Sequence, residues 1–368
     1  VLLFRILLVN LSSIFCRYSW HVCCGLFMLG WLLQQAGCGL QHGQGKHSAQ
    51  RDTLHTLTLL IEKRPNAPDF YFLRGKVYME RQQLDSAILD FTRAIRWDPR
   101  APELYHYRGV AYKAQERDTL AQQDFTRALE LEPFAKGTMG ELGGIYAIQG
   151  LWPASVHHYR QALRRDSTQA SFYIGLAYAQ RRMRNPSEAE RTLQLARVNA
   201  NPDPKVLSML FDLYVGELEN LEKAATVTQV LRQEYTNLPI TWFNQGYYNY
   251  LLYTRSPLRS DSPQRKQYLE NAVAAYTKAI QLDPQYRNAY YHRGYMYFTA
   301  QNAEPAISDF QKVIELDPKH AEAYFQLGSL FEAYEDWSQA ARYYRKATEL
   351  KPDWSEAQEA LKEVEKRK

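Results

Sequence analysis

Large apolar positions recur along this chain at helical spacing, and the recurrence itself repeats every 34 residues. A large residue stands at Tyr71, Tyr105, Met139, Tyr173, Leu207, Trp242, Tyr290 and Tyr324. Four residues later comes a glycine in six cases: Gly75, Gly109, Gly143, Gly246, Gly294 and Gly328. Three residues further on is an aromatic: Tyr78, Tyr112, Tyr146, Tyr214, Tyr297 or Phe331. Steps of four and three place these residues on one face of a helix. A second stretch alternates small and aromatic, as in Ala87-Phe91-Ala94, Ala121-Phe125-Ala128 and Ala340-Tyr344-Ala347. The period closes on prolines that cannot continue a helix, Pro65, Pro99 and Pro133 and again Pro284, Pro318 and Pro352. The pattern predicts helix-turn-helix units, each with a glycine where its two helices approach closely.

Eight units fit, at 68–101, 102–135, 136–169, 170–203, 204–238, 239–286, 287–320 and 321–354. The middle is irregular: Ala177 and Phe211 replace the glycine in the fourth and fifth units. One extra residue falls in the fifth unit and 14 in the sixth, around 251–269. Pro257, Pro263 and the Ser and Arg content there predict an exposed loop, with room for longer flanking helices. Residues 49–67 keep the phase of a second helix, with Leu57 and Leu60 inward, and predict an N-terminal capping helix. Residues 355–368 are charged, with Ala357, Leu361 and Val364 on one face, as a C-terminal capping helix requires.

A unit of 34 residues with this Gly, Tyr, Ala and Pro pattern resembles the tetratricopeptide repeat. The resemblance implies an all-α fold, a right-handed α-solenoid of about eight repeats between two capping helices. It also implies a concave face lined by repeat positions 2, 5, 9, 12 and 13 of the first helices. In repeats 6 to 8 these positions bring Phe243, Tyr247, Tyr250, Tyr291, Tyr295, Phe298 and Phe325 to that face. Two readings stay open: a groove whose rigid aromatics anchor a partner, or rings that only pack on one another. Gly137, Gly140 and Gly144 of repeat 3 leave bare backbone for a partner or merely loosen a helix start. Tyr178, Arg181 and Arg182 of repeat 4 form an anion contact or a solvated face. The carboxylate clamp of some co-chaperone repeats, built from Lys and Asn, does not appear, because Asn is absent from the concave positions of repeats 1 to 5.

Composition sharpens this in two ways. Apart from Arg5 and Arg17 in residues 1–38, 43 basic residues face 40 acidic ones, without the clustered basic stripe that nucleic acid requires. All four cysteines (Cys16, Cys23, Cys24 and Cys38) lie in the first 38 residues, which excludes a disulfide framework or a cysteine metal site in the repeats. Residues 1–38 read as a signal segment. The run VCCGLFMLGWLL at 22–33 is short for a bilayer span and fits a secretory signal. Ala36-Gly37-Cys38 resembles the end of a bacterial lipobox, with Gln35 where an aliphatic residue is usual, and implies lipidation at Cys38. Residues 39–48, rich in Gly and Gln, read as a flexible tether. The alternative is an uncleaved signal anchor.

Catalysis has little support, since no phosphate loop, nucleophile elbow or zinc-ligand pattern is present, and His157-His158 reads as a surface pair. The expectation is a non-catalytic scaffold with a protein or peptide ligand. It would need no cofactor, metal, small-molecule substrate or nucleic acid. The resemblance to bacterial repeat lipoproteins implies the cell envelope, as an outer-membrane lipoprotein facing the periplasm or an inner-membrane, signal-anchored protein. The alternatives are an assembly factor for outer-membrane or secretion machinery, and an enzyme with an unrecognised site.

Overall fold

Each helix of this protein begins and ends where its sequence leaves it little choice. Proline occupies the first turn of the helices that start at Pro68, Pro102, Pro186, Pro204, Pro239 and Pro263, where its missing N–H is not needed. Inside the repeats the turn between the two helices places one residue at positive φ: Gln82, Glu116, Gly150, Arg184, Gln301 and Glu335. These recur at the 34-residue period, and only Gly150 adopts that conformation without steric cost.

The computed structural model describes residues 44–259 and 262–367, with side chains from residue 53. Among the described residues it is all-α, with 18 helices and no strand. The segment 1–38, with Cys38, lies outside the described residues. The chain divides between Gln115 and Glu116 into two compact units. The first contains α1 (Gln44–Lys63), α2 (Pro68–Glu80), α3 (Leu84–Trp97) and α4 (Pro102–Ala114). The second begins with α5 (Asp118–Leu131), α6 (Lys136–Ile148), α7 (Trp152–Arg165), α8 (Ala170–Arg182) and α9 (Pro186–Asn199). It continues through α10 (Pro204–Gly216), α11 (Leu221–Glu234), α12 (Pro239–Arg255), α13 (Pro263–Leu282) and α14 (Arg287–Thr299). It ends with α15 (Ala303–Leu316), α16 (Ala321–Ala333), α17 (Trp337–Leu350) and α18 (Ser355–Arg367).

In the first, third, sixth, seventh and eighth repeats the glycine of the first helix receives the aromatic ring of the second. A Cβ built at Gly75 would stand 2.7 Å from Phe91, at Gly246 2.6 Å from Tyr276, and at Gly328 2.6 Å from Tyr344. The rings beneath are fully buried, so they have no room to retreat. Gly328→Ala should therefore cost about 1–3 kcal/mol of stability by overpacking, read as a lowered urea midpoint with unchanged helicity. The frequent tyrosines at repeat position 4 also have a use for their polar tips. The hydroxyl of Tyr71 donates to Pro65 O at 2.9 Å, and Tyr105 and Tyr324 do the same to Pro99 O and Pro318 O.

A polar staple accompanies this packing. Arg74 donates to both carboxylate oxygens of Asp90, at 2.7 and 2.9 Å, and to Thr58 Oγ1 of α1 at 3.1 Å. Its guanidinium also faces the rings of Tyr71 and Tyr78. Asp90 is nearly inaccessible to solvent, and its hydrogen bonds hold the Arg74 guanidinium above the usual arginine value. The same device recurs in the seventh repeat. Arg293 binds Asp309 through two bonds of 2.8 and 2.7 Å, reaches Thr277 Oγ1 at 3.0 Å, and lies between Tyr290 and Tyr297. In the second repeat Arg108 keeps the two tyrosines and the threonine, Thr92.

Two expected boundaries move. Residues 44–48 of the expected tether are helical, because α1 starts at Gln44; Lys46 and Ala49 are good helix formers and only Gly45 opposes them. The loop expected at 251–269 shrinks to the residues between Arg255 and Pro263. Leu251 is buried and so continues the inner face of α12. Pro263 is the first residue of α13, not a loop proline. Arg265 lies over the Tyr253 ring at 4.7 Å and ties the two extensions together. At the C-terminus, Ala357 and Val364 of α18 are fully buried, while its other faces are charged.

Candidate partner-binding face

In the second unit, α12 carries Phe243, Tyr247 and Tyr250 at steps of four and three, so their rings share one helix face. The planes of Phe243 and Tyr247 are nearly parallel, with centroids 6.4 Å apart, and Tyr247 stacks on Tyr250 at 5.5 Å. The row continues onto α14 through an edge contact of 6.0 Å from Tyr250 to Tyr295, which in turn meets Phe298 at 6.3 Å. These five are half-buried, the state of rings that form the surface of a face rather than its core.

The other two expected aromatics are equally half-buried, and Tyr291 meets His292 at 5.6 Å, but both carry further packing. Tyr291 turns into the packing of its own repeat, against Phe310 at 5.8 Å and His320 at 4.9 Å, and burial pushes its hydroxyl up to about 12. Phe325 is covered by Trp354 at 4.7 Å and packs on Tyr344 at 5.3 Å. Both hold the register of Phe243, so register alone does not separate them.

Three residues absent from the expected lining belong to the site. His292 is its hub, with ring centroids 5.5, 5.3 and 6.0 Å from Phe243, Tyr247 and Tyr250. Burial, assisted by His320, lowers its pKa to about 4, so the imidazole is neutral at physiological pH. Tyr286 closes one end of the row at 5.3 Å from Phe243. Asp212 of α10 follows Phe211, whose ring meets Tyr247 at 6.3 Å. Solvent reaches Asp212, yet protein surrounds it closely enough to raise its pKa to about 6 by desolvation, with Arg181 acting in the opposite direction. The field of Asp212 also contributes to raising the Tyr286 hydroxyl, behind burial as the larger cause. Side-chain carboxyl NMR should show Asp212 titrating near pH 6, with Arg181 and Tyr286 as its charged or titratable neighbours; a midpoint near 4 would contradict the desolvated setting.

Comparisons with known proteins place this geometry. Tetratricopeptide repeat models match residues 288–320 and 321–353, and 145–204. A further TPR repeat model matches residues 75–116 and 265–301. Together the matches take in about half of the chain. This chain belongs to the tetratricopeptide repeat family.

Solved structures agree on the fold. A tetratricopeptide repeat protein from Parabacteroides merdae aligns with TM-score 0.53 and 16% identity over 72% of this chain and 98% of that one. The human IFIT1 dimer with m7Gppp-AAAA aligns with TM-score 0.56 and 16% identity over 86% of each chain. A chain of the APC/C hetero-tetramer Cut9-Hcn1 aligns with TM-score 0.54 and 13% identity over 83% of this chain and 56% of that one. This repeat protein therefore spans just over half the length of the Cut9-Hcn1 chain it matches. A sequence comparison with curated proteins finds no match.

The earlier repeats of this tetratricopeptide repeat protein offer less open surface than their sequence promises. Gly140 is met by the ring of Phe172 from the next repeat, so its bare backbone serves internal packing, while Gly137 is exposed and Gly144 half-buried. Arg181 is bound to Glu217 at 2.6 Å, and Arg182 lies over the Trp152 ring at 5.3 Å. His157 is exposed, as a surface histidine should be. His158 is not: it stacks on Tyr146 at 5.2 Å, and burial lowers its pKa. Among the described residues no helix is long and apolar enough to cross a membrane, and no group of His, Cys, Asp and Glu could hold a metal ion.

Proposed function

We propose that this protein is a non-catalytic scaffold that holds an extended peptide or protein segment on the face made by Phe243, Tyr247, Tyr250, Tyr295 and Phe298. The observation that carries this reading is a row of half-buried rings whose polar tips are unused. Among the described residues the hydroxyls of Tyr247, Tyr250 and Tyr295 make no hydrogen bond to the protein. Rings of this kind offer large contact area at low entropic cost, with a hydrogen-bonding group at each tip. TPR proteins bind protein or peptide partners, which agrees with this reading.

The test is peptide binding to the full chain and to the double variant Tyr250→Ala, Tyr295→Ala. Capped pentapeptides with mixed Leu, Phe, Tyr and Val flanks should bind the parent protein and lose at least about tenfold in affinity with the variant, at unchanged helicity. Equal binding would remove the function from this face. The anchoring half of the proposal is that Cys38 is lipidated in a bacterial envelope, motivated by Ala36-Gly37-Cys38. Radiolabelled fatty acid should enter the parent protein and not Cys38→Ala, and equal labelling would defeat it.

A further inference from the structure

Away from the aromatic face, the second helices of the third and fourth repeats carry an open surface of their own. The two helices, α7 and α9, both pack on α8. Between them runs a groove of about 280 Å³. Tyr173 and Leu176 of α8 are buried at its floor, and Leu163 of α7 and Leu195 of α9 flank them. Leu195 is 49% exposed, and Val198, one turn further along α9, is 80% exposed. A second hollow, of about 420 Å³, follows α7 from Pro153 and Met183 to Arg164, and Arg164 borders both. Apolar floors that open to solvent beside exposed leucine, valine and methionine mark a surface that a partner covers.

The charge on this surface is one-sided. α7 has no acidic residue along its whole length. His157, Arg160 and Arg164 follow one another at steps of three and four, and so form a ladder on its exposed side. The carboxylates of α9 and of the turn after α7 are taken. Glu188 accepts from Arg160 and from Gln180, each at 2.9 Å, and Glu190 from Lys223 at 2.6 Å. Asp166 accepts from Lys136 at 2.7 Å. Arg164 and Arg191 are left over: both are exposed, and among the described residues neither side chain has a hydrogen-bond, ion-pair or ring partner. Arg191 stands four residues before Leu195, which places it on the same strip of α9. One free guanidinium therefore stands on each helix that flanks the apolar floor.

We propose that this groove docks an acidic amphipathic segment of a partner protein, whose apolar side chains enter between Leu163 and Leu195 while its carboxylates meet Arg164 and Arg191. Other anionic surfaces satisfy only half of the arrangement. A flat layer of lipid headgroups would meet the guanidiniums and Val198 but leave the floor between the two helices unfilled. A nucleic acid backbone would meet the guanidiniums and set phosphates against Leu195 and Val198. A segment with one apolar and one acidic side matches both features, in the manner of an amphipathic helix laid in a groove. The groove shares no residue with the aromatic face, so it is a second surface and does not depend on the peptide-binding reading above.

The experiment uses the full chain and two mixtures of capped amphipathic helical peptides. Their apolar side is mixed Leu, Ile, Phe and Met, and their polar side is glutamate in one mixture and glutamine in the other. The glutamate mixture should bind about tenfold tighter than the glutamine mixture. Arg164→Ala with Arg191→Ala should abolish that preference at unchanged helicity, and Leu195→Ser should weaken both mixtures. Lys278→Ala with Lys319→Ala removes the same charge from exposed positions elsewhere in the second unit and should bind as the parent does. So should Tyr250→Ala with Tyr295→Ala. If the glutamine mixture binds as tightly, or the lysine variant loses as much as the arginine variant, selection of an acidic segment is overturned. If the tyrosine variant loses the binding instead, the segment sits on the aromatic face and the groove is overturned. Binding of neither mixture, or capture of phosphatidylglycerol vesicles or polyuridylate in their place, overturns the proposal as well.

Discussion

Replacing Arg293 by leucine should destabilise the second unit by about 3–5 kcal/mol, the cost of stranding a buried charge. Asp309 is almost wholly buried, and Arg293 supplies both hydrogen bonds that satisfy its carboxylate. The substitution also removes the bond to Thr277 Oγ1 on the preceding repeat and the contact with Tyr290 and Tyr297. One side chain thus joins α13, α14 and α15. The loss comes mainly from the stranded carboxylate and not from a missing attraction, so the double variant Arg293→Leu, Asp309→Leu should recover much of it. Urea unfolding followed by circular dichroism measures both. A single variant within about 1 kcal/mol of the parent would show that solvent screens the pair and that the staple is not structural. Arg74→Leu should behave in the same way in the first unit, where Asp90 is equally enclosed.

Tyr276→Phe and Tyr344→Phe should move stability in opposite directions, although the two tyrosines occupy the same repeat position. Removing the Tyr276 hydroxyl deletes a buried donor that has no partner, and should stabilise the protein by about 1–2 kcal/mol. Removing the Tyr344 hydroxyl breaks a bond to a carboxylate at 2.6 Å and a second contact with Ser329, and should cost about 1–3 kcal/mol. The comparison is internal, because each ring keeps its packing on a glycine. Equal shifts of the same sign in thermal unfolding would contradict the assignment of satisfied and unsatisfied hydroxyls.

The helix pairs were legible in the sequence because each position reports a steric demand. Gly75 exists for Phe91, Gly328 for Tyr344, and the closing prolines end helices that geometry would otherwise continue. The staple has its own periodic signature. Arg precedes Gly at 74, 108 and 293, and Asp precedes Phe at 90, 124 and 309, in phase with the repeat. A charged residue within a helix reads as solvent-facing until its partner on the other helix is known, and the partner lies 16 residues away.

The face was legible in part. Steps of four and three placed Phe243, Tyr247 and Tyr250 together, but the same register also held Tyr291 and Phe325. What distinguishes them is tertiary: His320 and Phe310 engage the first, and Trp354, just before the last helix, covers the second. His292 had no periodic signal, since Leu73, Tyr107 and Gln326 occupy its place in other repeats. Asp212 could have been found, because it stands at a concave position of the fifth repeat, one repeat before Tyr247. The loop at 251–269 is shorter than its sequence suggests because a proline that begins a helix and a proline that breaks one look alike in sequence.

The central claim is that the partner sits on the rings of α12 and α14. Labelling the full chain with 3-fluorotyrosine and titrating it with the capped pentapeptide mixture tests this directly by fluorine NMR. The resonances of Tyr247, Tyr250 and Tyr295, assigned by single Tyr→Phe variants, should shift together and saturate, while those of Tyr105 and Tyr112 in the first unit stay fixed. Saturating shifts at Tyr105 or Tyr112, with Tyr247, Tyr250 and Tyr295 unmoved, would contradict the account.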